Sequence, residues 1–451
     1  MKPLRDLDRD LSTGSTSSAA LTELALDAAA APGGEGQRVY TRLYREAAIA
    51  AAEASDRLRR HGVVAGPLGG LPISIKDLFD VAGEPTTAGS VVLKDAQPAR
   101  QDAVIVRRLR AAGAIIVGKT NMTEFAYSGI GWNPHYGTPR NPWDRGSMPA
   151  EGRIPGGSSS GAVISVTDGM AAAAIGTDTG GSVRIPAALC GIVGFKPTAR
   201  RVPLAGSVPL SHSLDSIGPL ARTVACCALV DAVIAGSEPT VPEPLPLAGA
   251  RLACVQSYVL DSMDRHVSAA YMRALSRLSS AGAKLTDIGF DELGELPAIY
   301  SKGGLGAAEA YHWHRELIGK RGAEYDPRVS ARIKRGAEQS AADYLDVLAA
   351  RRDLNERADR TTRPYDAVLM PTCPIVAPRL SEIARDEDFS RLNLLILRNT
   401  TIGNFLDRCA ISLPCHRPGD APVGLMLMGS RGHDRRLLAL AQSVEAALAT
   451  A

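Results

Sequence analysis

The hydrophobic and polar positions fall into two rhythms that alternate along most of the chain. Residues 71–81 (LPISIKDLFDV) follow a period of two, which predicts a strand with Ser74 and Lys76 on one face and Ile73 and Ile75 on the other. Residues 102–112 are spaced as a basic amphipathic helix and residues 114–117 as a buried strand, and the alternation continues to about residue 200. Upstream, residues 41–61 are Ala-rich, lack internal Gly and Pro, and end in basic residues before Gly62, which predicts a helix. Residues 11–40 read as a loosely specified lead-in. Residues 236–247 (GSEPTVPEPLPL) hold four prolines and read as a linker. Beyond it ARLACVQ, AKLTDIGF, YDAVLMPT and CAISLPC are spaced as strands, with helices near 267–281, 340–362 and 433–448. Strands alternating with helices predict an α/β protein whose largely parallel sheet is covered on both faces.

Composition narrows the class without naming a chemistry. Of 451 residues, 45% are hydrophobic and 22% charged, which excludes disorder, collagen-like order or a coiled coil as whole-chain descriptions. A net charge of +3 provides no basic field for nucleic acid. The seven cysteines are dispersed, with Cys226 and Cys227 adjacent and no Cys-x-x-Cys pair, a pattern that fits neither a disulfide framework nor a zinc site. MKPLRDLDRD has no apolar run and is not a secretory signal, and stretches such as residues 169–176 are too short to cross a bilayer. The expectation is a soluble, cytoplasmic protein.

Two clusters of small and hydroxyl residues stand out, PGGSSSG at 155–161 and GTDTGGS at 176–182. Glycines permit close backbone approach and leave N–H groups free for a phosphate or an oxyanion, although either cluster alone also suits a tight turn. Three literal motif matches compete with them. Gly113 to Thr120 fits the P-loop pattern, yet its middle residues are themselves a strand rather than a flexible turn. Gly157 to Gly161 fits G-x-S-x-G, but no strand precedes it and neither His212 nor His416 has surroundings that mark a base. His312 and His314 sit two apart in a helical stretch, where their side chains diverge, so they read as a surface or core pair rather than a metal site.

The block from Arg153 to Thr198, RIPGGSSSGAVISVTDGMAAAAIGTDTGGSVRIPAALCGIVGFKPT, strongly resembles the signature of the amidase signature family. LPISIKDLFDVAG, GAIIVGKTNMTEFA, VLMPTCPIVAP and PVGLMLMGSRGHDRRLLALA resemble other segments of that family, so the likeness spans about residues 40–449. The resemblance implies a large twisted mixed, mostly parallel sheet covered by helices on both faces. It suggests a lead-in over 1–40 and one domain over 41–451, with a helical excursion about 250–350. It also implies an amidohydrolase without metal or cofactor: Ser182 as nucleophile, Ser158 as a bridging serine on a cis peptide bond, Lys76 as base, and backbone N–H groups of Thr179, Gly180, Gly181 and Ser182 as oxyanion hole. Phe125, Ala126 and Tyr127 match a stretch that lines the acyl pocket, where packing is an equally good reading.

The residues support that chemistry on their own terms. A serine hydroxyl is a weak nucleophile until a base takes its proton, and a lysine accepts one only when burial lowers its pKa. Strand alternation sends Asp77 away from Lys76, and the Gly-Gly turn leaves N–H groups for a developing oxyanion. Asp178 is expected to brace the loop. Two features depart from the family: Ser160 replaces a usual glycine, and residues 140–155 carry a longer loop, either a lid or a passive insertion. Tyr300, Tyr311, Trp313 and Tyr325 suggest an aryl or otherwise apolar amide, with carbamates, ureas and esters sharing the same tetrahedral chemistry. The expected partner is a small amide or carbamate, with no nucleic acid and no membrane, in a monomer or homodimer. The alternative is the glutaminase subunit of a tRNA-dependent amidotransferase, against which the near-neutral charge and lack of a partner-binding tail weigh.

Overall fold

Among the described residues, eleven short strands build one sheet: β1 (Tyr40–Leu43), β2 (Pro72–Lys76), β3 (Ile115–Thr120), β4 (Ala173–Thr177), β5 (Val193–Lys196), β6 (Ile217–Ala221), β7 (Arg251–Val255), β8 (Lys284–Ile288), β9 (Ala367–Pro371), β10 (Ala410–Pro414) and β11 (Gly424–Met428). Their spatial order is β1-β3-β2-β4-β6-β5-β10-β11-β9-β7-β8, and helices surround them. The computed structural model describes residues 1–148 and 151–449. The strands β2, β3 and β4 are buried along their whole length. That burial matches their runs of Ile, Val and Ala, since a strand covered on both faces needs no polar side. Among the described residues, no helix is long and apolar enough to cross a membrane.

The large mixed sheet with surrounding helices is as expected, but its parallel majority is not. The pairs β2–β3, β2–β4, β7–β8 and β7–β9 are parallel. Six others, β1–β3, β4–β6, β5–β6, β5–β10, β10–β11 and β9–β11, are antiparallel. The antiparallel centre arises because β5–β6 and β10–β11 are joined by loops rather than crossover helices, and an antiparallel pair needs only a short connection.

Other boundaries also shift. Residues 11–40 are not loose: helices Leu4–Ser12, Ser18–Ala30 and Gly36–Val39 occupy the first forty positions. Leu4, Leu7 and Leu11 are buried, and the Asp56 carboxylate accepts the N–H groups of Ser18 and Ala19 at 2.7 and 2.9 Å, capping the second helix. The expected helix over 41–61 begins at Arg45 and ends at Arg60, because Tyr40–Leu43 pairs with β3 instead. The segment 250–350 first supplies β7, the helix Arg265–Ser280 and β8 to one sheet edge, and only from Asp291 to Thr362 is it wholly helical and irregular. The proline-rich stretch after Gly236 links β6 and its following helix to β7, as expected of a linker.

Candidate active site

Lys76 closes β2 and is completely buried. Its Nζ donates to Ser158 Oγ and to Thr177 Oγ1, each at 2.8 Å. The second contact follows from topology, because β2 and β4 run parallel with Ile75 opposite Ile175, bringing Thr177 beside the lysine. Burial pushes the Lys76 pKa down to about 7, against the opposing fields of Asp215 and Asp178. Asp77 points elsewhere: its carboxylate pairs with Lys119 Nζ at 3.1 Å and accepts the Thr87 hydroxyl. The lysine of the P-loop-like match is therefore half of a buried ion pair on a strand.

Ser158 follows a cis Gly157–Ser158 peptide bond. Gly157 is needed there, since a Cβ would lie 2.6 Å from Gly131 N. Ser159, next along the chain, instead donates to Thr177 O at 3.4 Å just before the helix Ser160–Thr167, and Ser160 Oγ is buried without a partner among the described residues. Among the described residues no strand leads directly into Ser159; His212 is exposed and His416 Nδ1 accepts Val423 N, so neither histidine is shown serving Ser159 as a base.

Ser182 lies in the turn between β4 and the helix Arg184–Cys190 and is 3% exposed. Among the described residues no hydrogen bond joins its Oγ to Ser158, so the Lys76–Ser158 link is made and the Ser158–Ser182 link is not closed. The turn is fastened from outside. Asp178 exchanges backbone hydrogen bonds with Ser216 at 2.8 and 3.2 Å. Its carboxylate accepts the N–H groups of Val183 and Arg184 and two guanidinium bonds from Arg184, at 3.0 and 2.8 Å. Burial opposes that charge, but Arg184, Lys196 and Asn404 hold the Asp178 pKa down to about 2. Gly180 O accepts Thr400 Oγ1 at 2.6 Å, and Gly181 O accepts Ile185 N at 2.7 Å. The N–H groups of Thr179, Gly180, Gly181 and Ser182 meet no acceptor among the described residues. Gly181 has φ 131°, and a Cβ there would fall 2.2 Å from Thr400 Oγ1, so no other residue fits.

Phe125 and Ala126 adopt left-handed backbone, φ 50° and 62°. The buried Glu124 carboxylate fixes this corner by accepting Ser90 Oγ at 2.6 Å and Asp326 N at 2.8 Å while meeting His135 Nε2 at 2.9 Å. The stretch is tied to the cis serine, since Thr123 N donates to Ser158 O at 3.0 Å. The Phe125 ring packs on His314, Tyr325 and Trp313 at centroid distances of 4.4, 5.2 and 6.0 Å. Tyr127 O accepts Arg332 Nη1 at 2.9 Å. Of the four aromatics that suggested an apolar amide, Trp313 and Tyr325 join Phe125, whereas Tyr300 packs on Phe405 and Tyr311 remains part-buried outside this cluster. His312 is exposed and His314 is buried against Tyr325 OH at 2.9 Å, so the two histidines do diverge. The longer loop 140–155, of which residues 149 and 150 lie outside the described residues, is pinned by an Arg153–Asp144 pair at 3.1 Å and by Arg153 over the Trp143 ring.

Sequence reasoning missed Thr177, Thr400, Asn404 and Asp215. Thr177 lies within GTDTGGS, and a strand pairing of β2 with β4 would have singled it out.

A family model of amidases matches residues 21–438. A 2-amino-5-chloromuconic acid deaminase of Comamonas testosteroni is 39% identical over 404 residues, covering 88% of this chain and 86% of that protein. One of the subunits of the glutamyl-tRNA(Gln) amidotransferase of Chloroflexus aggregans is 35% identical over 436 residues, covering 89% and 87%. A crystal structure of an amidase superposes with a TM-score of 0.88 at 34% identity over 99% of each chain. The chain belongs to the amidase family and is an amide-cleaving hydrolase.

Proposed function

We propose that the chain is a serine amidohydrolase in which Ser182 is the nucleophile, Ser158 the proton relay and Lys76 the base. The observation that carries this reading is the buried Lys76 amine, lowered to about 7 and 2.8 Å from Ser158 Oγ. Ser182 Oγ attacks the acyl carbon as its proton passes through Ser158 to Lys76 Nζ. The carbonyl oxygen becomes an oxyanion held by the free N–H groups of 179–182. As the C–N bond breaks, the proton returns through Ser158 to the departing nitrogen, leaving an ester on Ser182. Water then attacks that ester by the same relay and releases the acid. The aromatic cluster on Phe125 supports an aryl or otherwise apolar amide, or a carbamate, as substrate class.

Labelling with a fluorophosphonate followed by peptide mass mapping tests the assignment. The expected result is label on Ser182, lost in Ser182→Ala; label on Ser159 instead would overturn it. The 35% identity to an amidotransferase component favours a second reading, a partner-dependent glutaminase. Hydrolysis of simple amides and anilides by the isolated chain, unaffected by glutamine, would exclude that reading. Glutamine hydrolysis alone would establish it.

A further inference from the structure

Asp215 lies one step beyond the end of the β4–β6 ladder. In that ladder Thr177 faces Ile217, and Asp178 and Ser216 then exchange their backbone bonds. The next opposed pair is Thr179 and Asp215, and Thr179 Oγ1 donates to Asp215 Oδ1 at 2.5 Å. The other carboxylate oxygen accepts the N–H groups of Leu210 and Ser211 at 3.0 and 3.1 Å. No cation pairs with Asp215 among the described residues, so a charged group is held entirely by neutral donors. Its loop is itself anchored. Glu309, from the helix Gly304–Arg321, accepts the Ser211 hydroxyl, Ser213 N at 3.0 Å, Ser213 Oγ at 2.5 Å and Tyr344 OH at 2.8 Å.

Elsewhere in the turn Gly180 and Gly181 are fastened through their carbonyls, and Val183 and Arg184 through the Asp178 carboxylate. Thr179 is fastened through its side chain, and its N–H is one of those left free. Building on the serine mechanism above, we propose that Asp215 is a positioning residue that aims the Thr179 N–H into the oxyanion hole by gripping the Thr179 hydroxyl. Glu309 holds the loop that carries Asp215, so the grip is set by the helical segment as well as by the sheet.

The test is the rate at which a fluorophosphonate phosphonylates Ser182. The Ser182 Oγ–P bond forms, the P–F bond breaks and fluoride leaves, with the serine proton taken through Ser158 by Lys76. Because the phosphoryl oxygen takes the place of the oxyanion, the limiting rate reads the hole directly. Measurements are made at about pH 9, above the Lys76 limb, so that altered charge near the lysine drops out. Thr179→Val should lower the limiting rate by about 10-fold or more, with the half-saturating concentration unchanged. Thr179→Ser, which restores the hydroxyl, should stay within about threefold of the unmutated chain. Asp215→Asn should show a comparable loss and add nothing further in the Thr179→Val background. All variants should keep the circular dichroism of the unmutated chain at the assay temperature. Should Thr179→Val not fold, Asp215→Asn, of the same shape, carries the comparison. A wild-type rate in Thr179→Val, or losses that multiply in the double variant, would overturn the inference. Label away from Ser182 in the unmutated chain would instead overturn the nucleophile assignment, and the inference with it.

Discussion

On the proposed mechanism Lys76 accepts a proton near neutral pH, which an exposed lysine does not do. Its pKa of about 7 places the usable, neutral amine above that value and the protonated, useless form below it. On the proposed mechanism, kcat/KM should rise about tenfold per pH unit on the acid side and level off above pH ~7. A profile flat through this range would count against Lys76 as base. Lys76→Ala should lower kcat by about 10²- to 10⁴-fold, measured on any amide the chain turns over. Thr177→Val removes an acceptor that favours the charged lysine, so the ascending limb should move to lower pH. Lys76, Ser158 and Ser182, the groups of the proposed relay, stand out in the sequence because each lies in a local motif, and the structure brings Lys76 to Ser158. Thr177 was legible only as part of a turn, since its use depends on which strand is its neighbour. Thr400 and Asn404 were not legible at all. Asn399, Thr400, Thr401 and Asn404 look like the wet side of a helix, yet Asn399 is buried against Pro371 backbone, and Thr400 and Asn404 against the turn that carries Ser182.

Among the elements, the helix Asp386–Phe405 is the one whose position matters most to the turn. Asn404 Nδ2 donates to Asp178 O at 2.8 Å and Asp178 Oδ1 at 3.0 Å, while its Oδ1 accepts Arg184 Nη2 at 2.7 Å. Asn404→Ala strands these buried groups, at a cost of about 1–3 kcal/mol in urea unfolding. The same variant should slow Ser182 labelling, because Asp178 loses one of its braces. Unchanged unfolding and labelling would show that Arg184 alone suffices. β2 was readable from its alternation and β3 from its apolar run, and β7 and β8, at one side of the sheet, were readable from their spacing. The parallel majority was misread because period and composition report burial, whereas direction depends on which distant strand slides in alongside. Here β10 enters between β5 and β11 and reverses the local direction.

For the whole molecule, all seven cysteines are buried and unpaired, and burial raises the thiol pKa of Cys227 and Cys373. A small thiol reagent should therefore react slowly with the native chain and rapidly with all seven thiols once it is denatured. Fast modification of the native chain would mean that one of these sites opens. The insertion of β10 beside β5 has a consequence for how the protein comes into being. Lys76, Ser158, Thr177 and Ser182 have all left the ribosome long before β10 and Asn404 do. At usual elongation rates the gap between β5 and β10 lasts roughly 10–40 s. During that interval the nascent chain holds every group of the proposed relay, yet β5 still waits for the strand that will pair with its open flank. That flank is a ready template for a neighbouring chain on the same message. Arresting translation just before β10 and just after β11 should give chains that differ sharply in protease resistance.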